Sequence, residues 1–225
     1  MAKIVVEQYE WDKVYKDLEN EVVKTSTYDN YIIQLMGDVK NKKILDYGCG
    51  PGIIAKALHD FGAIVDVYDI NEQILRMANK RIESQRIFNT KGQILKDYYD
   101  FILCNLVVCI VNHDEVFDIA KDIFEALVPE TGVAYVGFCN PLIFNYHETK
   151  LDIRHSGNMK YDENHMYYKE KKEGGYVIPE MHRPIEWYDG IFSKSGLKIE
   201  EKFFTPEYTF NTKKVNDFII FKLTK

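Results

Sequence analysis

A glycine-rich segment, Asp46-Tyr47-Gly48-Cys49-Gly50-Pro51-Gly52, lies between a short apolar run and residues with helical spacing. We call residues 46–52 the glycine loop. Glycines at a strand-to-helix junction let the backbone turn tightly, and they let a ligand approach the amides at the helix start. A dinucleotide-binding fingerprint would need glycine at position 53, which is Ile53, and Pro51 removes an amide that a pyrophosphate could have used. The loop therefore suits a nucleoside without phosphate groups better than a dinucleotide.

A carboxylate, Asp69, ends the next apolar run, Ala63–Asp69. At such a strand end in a doubly wound sheet, a carboxylate meets a ribose because its two oxygens match two vicinal hydroxyl groups. The alternative role for Asp69 is to cap the following helix, but Asn71 is better placed for that role. We therefore predict that Asp69 binds the ribose of the nucleoside.

Short β-rich runs that alternate with helical runs must position these residues. The predicted strands and helices are Lys43–Tyr47, a helix from Ile53 that ends before Gly62, Ala63–Asp69, a helix over 71–84, Arg86–Asn89, Asp100–Val111, a helix over Glu115–Leu127, and Gly132–Cys139. This alternation predicts βαβ units and a parallel sheet covered on both faces. A helix over Pro184–Ser195 and two β runs, Leu197–Phe204 and Asp217–Leu223, follow. Their connection is too short for a parallel crossover, so an antiparallel pair is expected.

Two segments outside this alternation are less regular. Residues 7–39 carry many aromatic side chains and are predicted to form one or two helices. Residues 142–183 are polar and lack clear periodicity, and Glu173-Gly174-Gly175 is predicted to be a turn between two short extended runs. The histidine spacing in this segment matches no helical or finger-type metal site, so no metal is predicted. The histidines interpreted there as solvated loop residues are His147, His155 and His165.

Composition excludes several classes of protein. The chain has 225 residues, which suits one domain with an elaboration or two very small domains, and 46% of them are hydrophobic, which excludes disordered and fibrous proteins. The formal net charge of −6 disfavours nucleic acid as a partner, because proteins that grip phosphate backbones are usually basic. The 4 cysteines show no metal-type spacing and are predicted to be buried thiols. With no signal-like start and no apolar run near the roughly 20 residues that span a bilayer, a cytoplasmic protein without a membrane partner is expected.

LDYGCGPG at 45–52 and VYDIN at 67–71 together resemble the first and second motifs of the class I methyltransferases that use S-adenosylmethionine. The resemblance implies an α/β fold: a Rossmann-like, doubly wound, seven-stranded sheet that is mostly parallel with an antiparallel last strand. The N-terminal helices and an insertion after the fifth strand would form a cap. A single domain over 1–225 is implied, made of a helical lid (1–39), a cofactor-binding core (40–141), a substrate cap (142–183) and a C-terminal helix and hairpin (184–225).

The resemblance also implies residue roles around the methionine part of the cofactor. Gly48 and Gly50 would contact it through their backbone, and Asp46 would order its amino group. The loop after the fourth strand, with Asn105 and Leu106, would pass beside it.

Around the adenosine part, Asp69 would bind the ribose hydroxyls and Ile70 would pack on the adenine. Gln93 stands where the family often has an acidic residue that reads the adenine amino group. Tyr15 and Tyr28 are predicted to close over the cofactor, since a ring face beside a sulfonium gains cation–π stabilisation. The alternative for both tyrosines is packing of the helix on the sheet.

The segment MHRPIEWYDGIFSKSGLKI at 181–199 resembles one found in small-molecule methyltransferases of the ubiquinone-biosynthesis and polyketide-tailoring kind. There the histidine lies near the pocket mouth, so His182 is the candidate general base or acceptor-positioning group. The alternative for His182 is a cap or hydrogen bond at the helix start.

The predicted function is methyl transfer from S-adenosylmethionine to an oxygen or nitrogen of a small-molecule acceptor, with S-adenosylhomocysteine as product and a monomer or homodimer as the active form. Cys104-Asn105-Leu106-Val107 stands where enzymes that methylate base amino groups often carry a (D/N)-P-P-(Y/F) motif, which disfavours DNA adenine methylation. Two alternatives are an NAD(P)-dependent oxidoreductase, which would share the sheet, and a non-catalytic binding module with the same fold.

Overall fold

A computed structural model describes residues 4–6, 10–14, 24–82, 86–146, 153–154, 159–171 and 176–225. In chain order the strands are β1 (Ile4–Val5), β2 (Lys43–Tyr47), β3 (Ile64–Tyr68), β4 (Ile87–Phe88), β5 (Phe101–Asn105), β6 (Val133–Cys139), β7 (Ile153–Arg154), β8 (His165–Lys171), β9 (Tyr176–His182), β10 (Lys198–Phe204), β11 (Tyr208–Phe210), β12 (Lys213–Val215) and β13 (Phe218–Thr224). The α-helices are α1 (Asn30–Met36), α2 (Ile53–Asp60), α3 (Glu72–Arg81), α4 (His113–Ala126), α5 (Ile143–Tyr146) and α6 (Ile185–Lys194).

The central sheet has seven strands in the order β10-β13-β6-β5-β2-β3-β4. Strands β2 to β6 run parallel, and β13 is antiparallel to both of its neighbours, β6 and β10. The predicted doubly wound sheet with an antiparallel last strand is therefore confirmed. The chain order reverses between β2 and β5, which is where such sheets open a crevice for a ligand.

Helices cover both faces of this sheet because side chains alternate along its strands. In β13, for example, Ile219 and Phe221 pack in the cluster that includes α4 and α6, whereas Ile220 packs in the cluster that includes α1, α2 and α3. The 4 cysteines are free and buried, as predicted. Among the helices of the described residues, none has both the length and the apolar character needed to cross a membrane.

Local signals at the helix starts agree with the structure except at α4. Helix α3 ends at Arg81, before the predicted residue 84, because the backbone of Ile82 is extended. Asn71 caps α3, accepting hydrogen bonds from the amides of Gln73 and Ile74 as predicted. The apolar run Asp100–Val111 forms a strand only as far as Asn105, because Leu106 adopts a positive φ of 58° and the chain leaves the sheet, which agrees with the loop expected at Asn105 and Leu106. Helix α4 begins at His113, two residues earlier than predicted, behind an Asn112 cap.

The two extended runs predicted on either side of residues 173–175 are present as β8 and β9, which pair antiparallel. The small sheet that they belong to was not predicted: β7 pairs with β8, and β1 adds to the sheet parallel to β9. His165 consequently lies on β8, which corrects its interpretation as a solvated loop residue. The N-terminal prediction of helices from residue 7 is also corrected in part, since Trp11–Lys13 is a 3₁₀ turn and a π-helical turn at Lys24–Asp29 precedes α1. The predictions for Tyr15, His147, His155 and the turn at 173–175 fall outside the described residues.

Candidate active site

A cavity of about 340 Å³ opens at the carboxyl ends of β2, β3 and β5. This volume lies at the lower end of the range for small-ligand pockets, about 300–1,000 Å³. The predicted site residues that line the cavity are Asp46, Gly48, Gly50, Asp69, Ile70, Asn105 and Leu106. Most of the cofactor residues predicted from the sequence are thus brought together at one edge of the sheet.

The glycine loop is held against the end of β3 and beneath the loop that follows β5. The amides of Gly48 and Cys49 both donate to the Tyr68 carbonyl, at 2.8 and 3.0 Å. Gly48 has a φ of +72°, and a Cβ added there would lie 2.4 Å from Val107 Cγ2. Only glycine therefore fits this turn, and its bare backbone faces the cavity.

Asp69 ties the glycine loop to the start of α3. Its Oδ2 accepts a hydrogen bond from the Gly50 amide at 3.0 Å, and its Oδ1 accepts one from the Asn71 amide at 2.9 Å. Burial raises the pKa of the Asp69 carboxyl, and these backbone hydrogen bonds oppose that rise. Each carboxylate oxygen has a second lone pair, so the fixed carboxylate can still accept hydrogen bonds from two ligand hydroxyls.

The residues that line the cavity next to the glycine loop and Asp69 differ in polarity. Asp46 is buried at the end of β2 and lines the cavity beneath the glycine loop. Ile70 follows Asp69 and keeps 37% of its surface exposed at the cavity wall. A flat apolar group could cover Ile70, and a polar group could reach Asp46.

A hydrogen bond from Tyr28 orients the side chain of Asn105. The Tyr28 hydroxyl donates to Asn105 Oδ1 at 2.9 Å, and Gly137 leaves room for it, since a Cβ there would lie 1.9 Å from that hydroxyl. Asn105 Nδ2 is buried and has no hydrogen-bond partner among the described residues. The tyrosine ring is fully buried against Phe218, which supports the packing alternative for Tyr28 over direct contact with a ligand.

The Gln93 side chain is hydrogen-bonded to the backbone of the turn in which it lies. Its Oε1 accepts hydrogen bonds from the amides of Asn89 and Thr90, at 3.2 and 3.3 Å. That oxygen is the acceptor that recognition of an adenine amino group would require. Lys91, in the same 3₁₀ turn, lines the cavity instead of Gln93.

His182 lies at the end of β9 and does not line the cavity. It is buried between Phe144 and His165, and its Nε2 donates to the Tyr161 carbonyl at 2.7 Å. The Tyr161 hydroxyl in turn accepts from the amide of Ile185, the first residue of α6. Burial lowers the pKa of His182 to about 4. This position favours the alternative, a structural hydrogen bond near the helix start, over a general base.

Several residues at the cavity or behind its wall were not singled out from the sequence. Lys169 on β8 and Glu180 on β9 form a buried ion pair that lines the cavity wall. Arg183 is fully buried and donates to the carbonyls of Val108 and Val111, at 2.8 and 2.6 Å. Arg183 therefore fixes residues 106–111, the loop that follows β5.

Comparison with known proteins agrees with this geometry. A family model described as a methyltransferase domain matches residues 26–171, more than half of the chain. The chain belongs to this family. Over 83 residues, this methyltransferase is 34% identical to the ubiquinone biosynthesis O-methyltransferase of Shewanella sp. (strain ANA-3), a match that covers 33% of this chain and 35% of that relative. The alignment thus spans about a third of the relative's length.

Solved structures show the same fold. An S-adenosylmethionine dependent methyltransferase from Mesorhizobium loti superposes with a TM-score of 0.63 at 16% identity, over 87% of this chain and 96% of that one. A magnesium protoporphyrin IX methyltransferase from Synechocystis PCC 6803, solved with bound SAH, gives a TM-score of 0.57 at 16% identity, over 95% and 85%. The chain thus carries a methyltransferase domain by family, and its fold is that of solved S-adenosylmethionine-dependent methyltransferases.

Proposed function

We propose that this methyltransferase transfers the methyl group of S-adenosylmethionine to an oxygen or nitrogen atom of a small organic acceptor. The observation that carries the proposal is one cavity in which the glycine loop, Asp46 and Asp69 lie together at the strand ends. These groups suit an adenosine that carries an amino acid tail and no phosphate groups. The partial match to a ubiquinone biosynthesis O-methyltransferase supports a small-molecule acceptor.

The proposed cofactor end is built around Asp69. Its carboxylate binds the two ribose hydroxyls, and the exposed face of Ile70 covers the adenine. The bare backbone of Gly48 and Gly50 lies against the methionine part, and the buried carboxylate of Asp46 attracts the ammonium group of that tail.

In the proposed mechanism, the protein aligns the acceptor with the methyl group and excludes water. When held by the glycine loop, Asp46 and Asp69, S-adenosylmethionine would supply an electrophilic methyl group to the acceptor. In-line displacement needs the acceptor atom held close to that methyl group, which is a matter of positioning. The apolar side chains of Trp11, Ile110 and Ile178 form the wall that excludes water from the other side.

Calorimetry of cofactor binding tests the first half of the proposal. S-adenosylhomocysteine is expected to bind the wild-type protein, whereas NADH is not. Asp69→Ala is expected to weaken the binding about tenfold or more, since a lost hydrogen bond to a charged group costs about 1.5–3 kcal/mol. Asp118→Ala, an exposed carboxylate on α4, is the matched control and leaves the binding unchanged.

Label transfer tests whether the methyl group reaches a small organic acceptor. Tritium from the methyl group of S-adenosylmethionine is expected in the extracted products of some members of a panel of phenols, carboxylic acids and amines. Tight NADH binding without S-adenosylhomocysteine binding would instead favour the oxidoreductase alternative. Cofactor binding with no transfer to any member of the panel would favour the binding module.

A further inference from the structure

We propose that the buried Lys169–Glu180 pair of the cap forms a subsite for the methyl acceptor and binds an ionised oxygen of that molecule. This inference rests on the proposed function and adds the chemical class of the acceptor: a small, mostly apolar molecule with one acidic oxygen.

The pair occupies buried positions, where side chains are usually apolar. Lys169 and Glu180 keep only 4% and 2% of their surface exposed, and both line the cavity. Tyr167 donates a hydrogen bond to the same Glu180 carboxylate. Removing each ion from water costs several kcal/mol, and apolar residues of similar size often stabilise a fold as well or better. A buried ion pair at a cavity wall is therefore better explained by binding than by stability.

The Lys169 ammonium has a hydrogen-bond donor to spare. It carries three N–H donors, and in the described part of the chain its partners are the Glu180 carboxylate and Cys139 Sγ, the latter at 3.3 Å. Burial lowers the pKa of Lys169, but Cys139 and Glu180 raise that pKa by more, so the ammonium stays charged. The remaining donor suits an oxygen acceptor from a ligand in the cavity.

Strand order places this pair at the far end of the cavity from the ribose site. Cys139 ends β6, and Asp69 follows β3, with β5 and β2 lying between those strands. At about 4.8 Å per strand, β6 and β3 are separated by roughly 14 Å. Lys169 therefore lies at the end of the cavity that the cofactor leaves for the acceptor.

Asn105 also lines the cavity. It ends β5 and pairs with Gly137, two residues before Cys139, and its buried Nδ2 has no hydrogen-bond partner among the described residues. The apolar wall of the cavity is formed by Trp11, Ile110 and Ile178. The spare ammonium donor of Lys169 next to an apolar wall fits a carboxylate or phenolate oxygen on an apolar body.

The transfer step balances with an ionised oxygen. A bond forms between that oxygen and the methyl carbon, while the carbon–sulfur bond breaks and leaves its electron pair on sulfur. The negative charge of the oxygen and the positive charge of the sulfonium disappear together. Lys169 keeps its proton throughout and acts by holding the oxygen in place.

The test uses small probes with the full chain saturated by S-adenosylhomocysteine. Calorimetry compares benzoate and 4-nitrophenolate, the two kinds of acidic oxygen, with benzamide, which has the size of benzoate and no charge. At least one anion is expected to bind ten times or more tightly than benzamide. The double variant Lys169→Met/Glu180→Gln removes both charges together, so no buried charge is left unpaired, and it is expected to abolish that preference.

Two further readouts separate this inference from the proposed function. Lys160→Met, an exposed lysine of the cap, is the matched control and retains the preference for the anion. The double variant is expected to bind S-adenosylhomocysteine within twofold of the wild type. Equal binding of the anions and benzamide, or a preference that survives the double substitution, overturns the inference. Loss of cofactor binding in a folded double variant also overturns it, because the pair would then belong to the cofactor end. Only failure of the wild type to bind S-adenosylhomocysteine would count against the proposed function as well.

Discussion

Gly48→Ala is expected to destabilise the protein far more than Gly50→Ala. Both glycines have positive φ, +72° and +52°, so alanine at either position costs about 1–2 kcal/mol of backbone strain. At Gly48 the new methyl would also lie 2.4 Å from Val107 Cγ2, about 1 Å inside ordinary carbon contact, whereas nothing lies within 4 Å of the corresponding position at Gly50. Overpacking of this kind adds about 1–3 kcal/mol. Urea unfolding followed by circular dichroism measures both free energies.

A second substitution isolates the clash from the strain. Val107→Ala removes Cγ2 and leaves Val107 Cβ at 3.6 Å from the added methyl of Gly48→Ala, which is ordinary contact. The double variant Gly48→Ala/Val107→Ala should therefore be more stable than the sum of its single variants predicts, by about 1–3 kcal/mol in a double-mutant cycle. Equal losses for Gly48→Ala and Gly50→Ala, or strict additivity in the cycle, would refute this account of the turn.

Three other substitutions give measurable outcomes. Tyr28→Phe removes the donor to Asn105 Oδ1 and should lower the free energy of unfolding by about 1–2 kcal/mol; no loss would mean that this hydrogen bond does not orient the amide. Arg183→Met leaves the carbonyls of Val108 and Val111 without their donors and should cost about 3 kcal/mol or more in the same assay, and a loss below 1 kcal/mol would contradict its role in fixing the loop. Because the folded pKa of His182 is about 4 and the unfolded value about 6.5, the unfolded chain binds more protons between these pH values, so stability falls as the pH is lowered from 6.5 to 4. His182→Gln should make that fall shallower by roughly 3 kcal/mol, and an unchanged pH profile would show that the native histidine titrates normally.

Much of the fold could be predicted from the sequence because its signals are local. Continuous apolar runs predicted the buried strands β2, β3 and β6, and the Asn71 cap marked the start of α3. The short connection before Asp217 predicted the antiparallel pairing of β10 and β13. Each signal needs only the residues of one element and its boundary.

The proposed cofactor end of the cavity was predictable for a similar reason. The glycine loop and Asp69 are each adjacent to a strand end, and parallel strands bring their carboxyl ends to one edge. The roles of Tyr28 and Gln93 were harder to predict. Tyr28 donates to Asn105, and Gln93 accepts from the amides of Asn89 and Thr90. These hydrogen bonds depend on distances in the folded chain that residue spacing does not encode.

The cap could not be predicted by hydrophobic alternation. The inward face of β8 and β9 carries Tyr167, Lys169, Glu180 and His182, so buried positions are polar and the two-residue period is hidden. The pairing of Tyr167 with Glu180 across the hairpin is what makes these polar groups compatible with burial. The proximity of Lys169 and Glu180 could therefore be recognised only from the strand register.

The hydrogen bonds of Arg183 to the loop after β5 connect the cap to the glycine loop. Strand β9 is fastened to that loop twice, by the Arg183 guanidinium and by the Met181 amide, which donates to the Cys109 carbonyl at 2.7 Å. The same loop presses Val107 onto Gly48. A molecule that moves the cap would therefore also move the turn at Gly48 in the proposed nucleoside site, and by reciprocity each ligand would change the binding free energy of the other by the same amount.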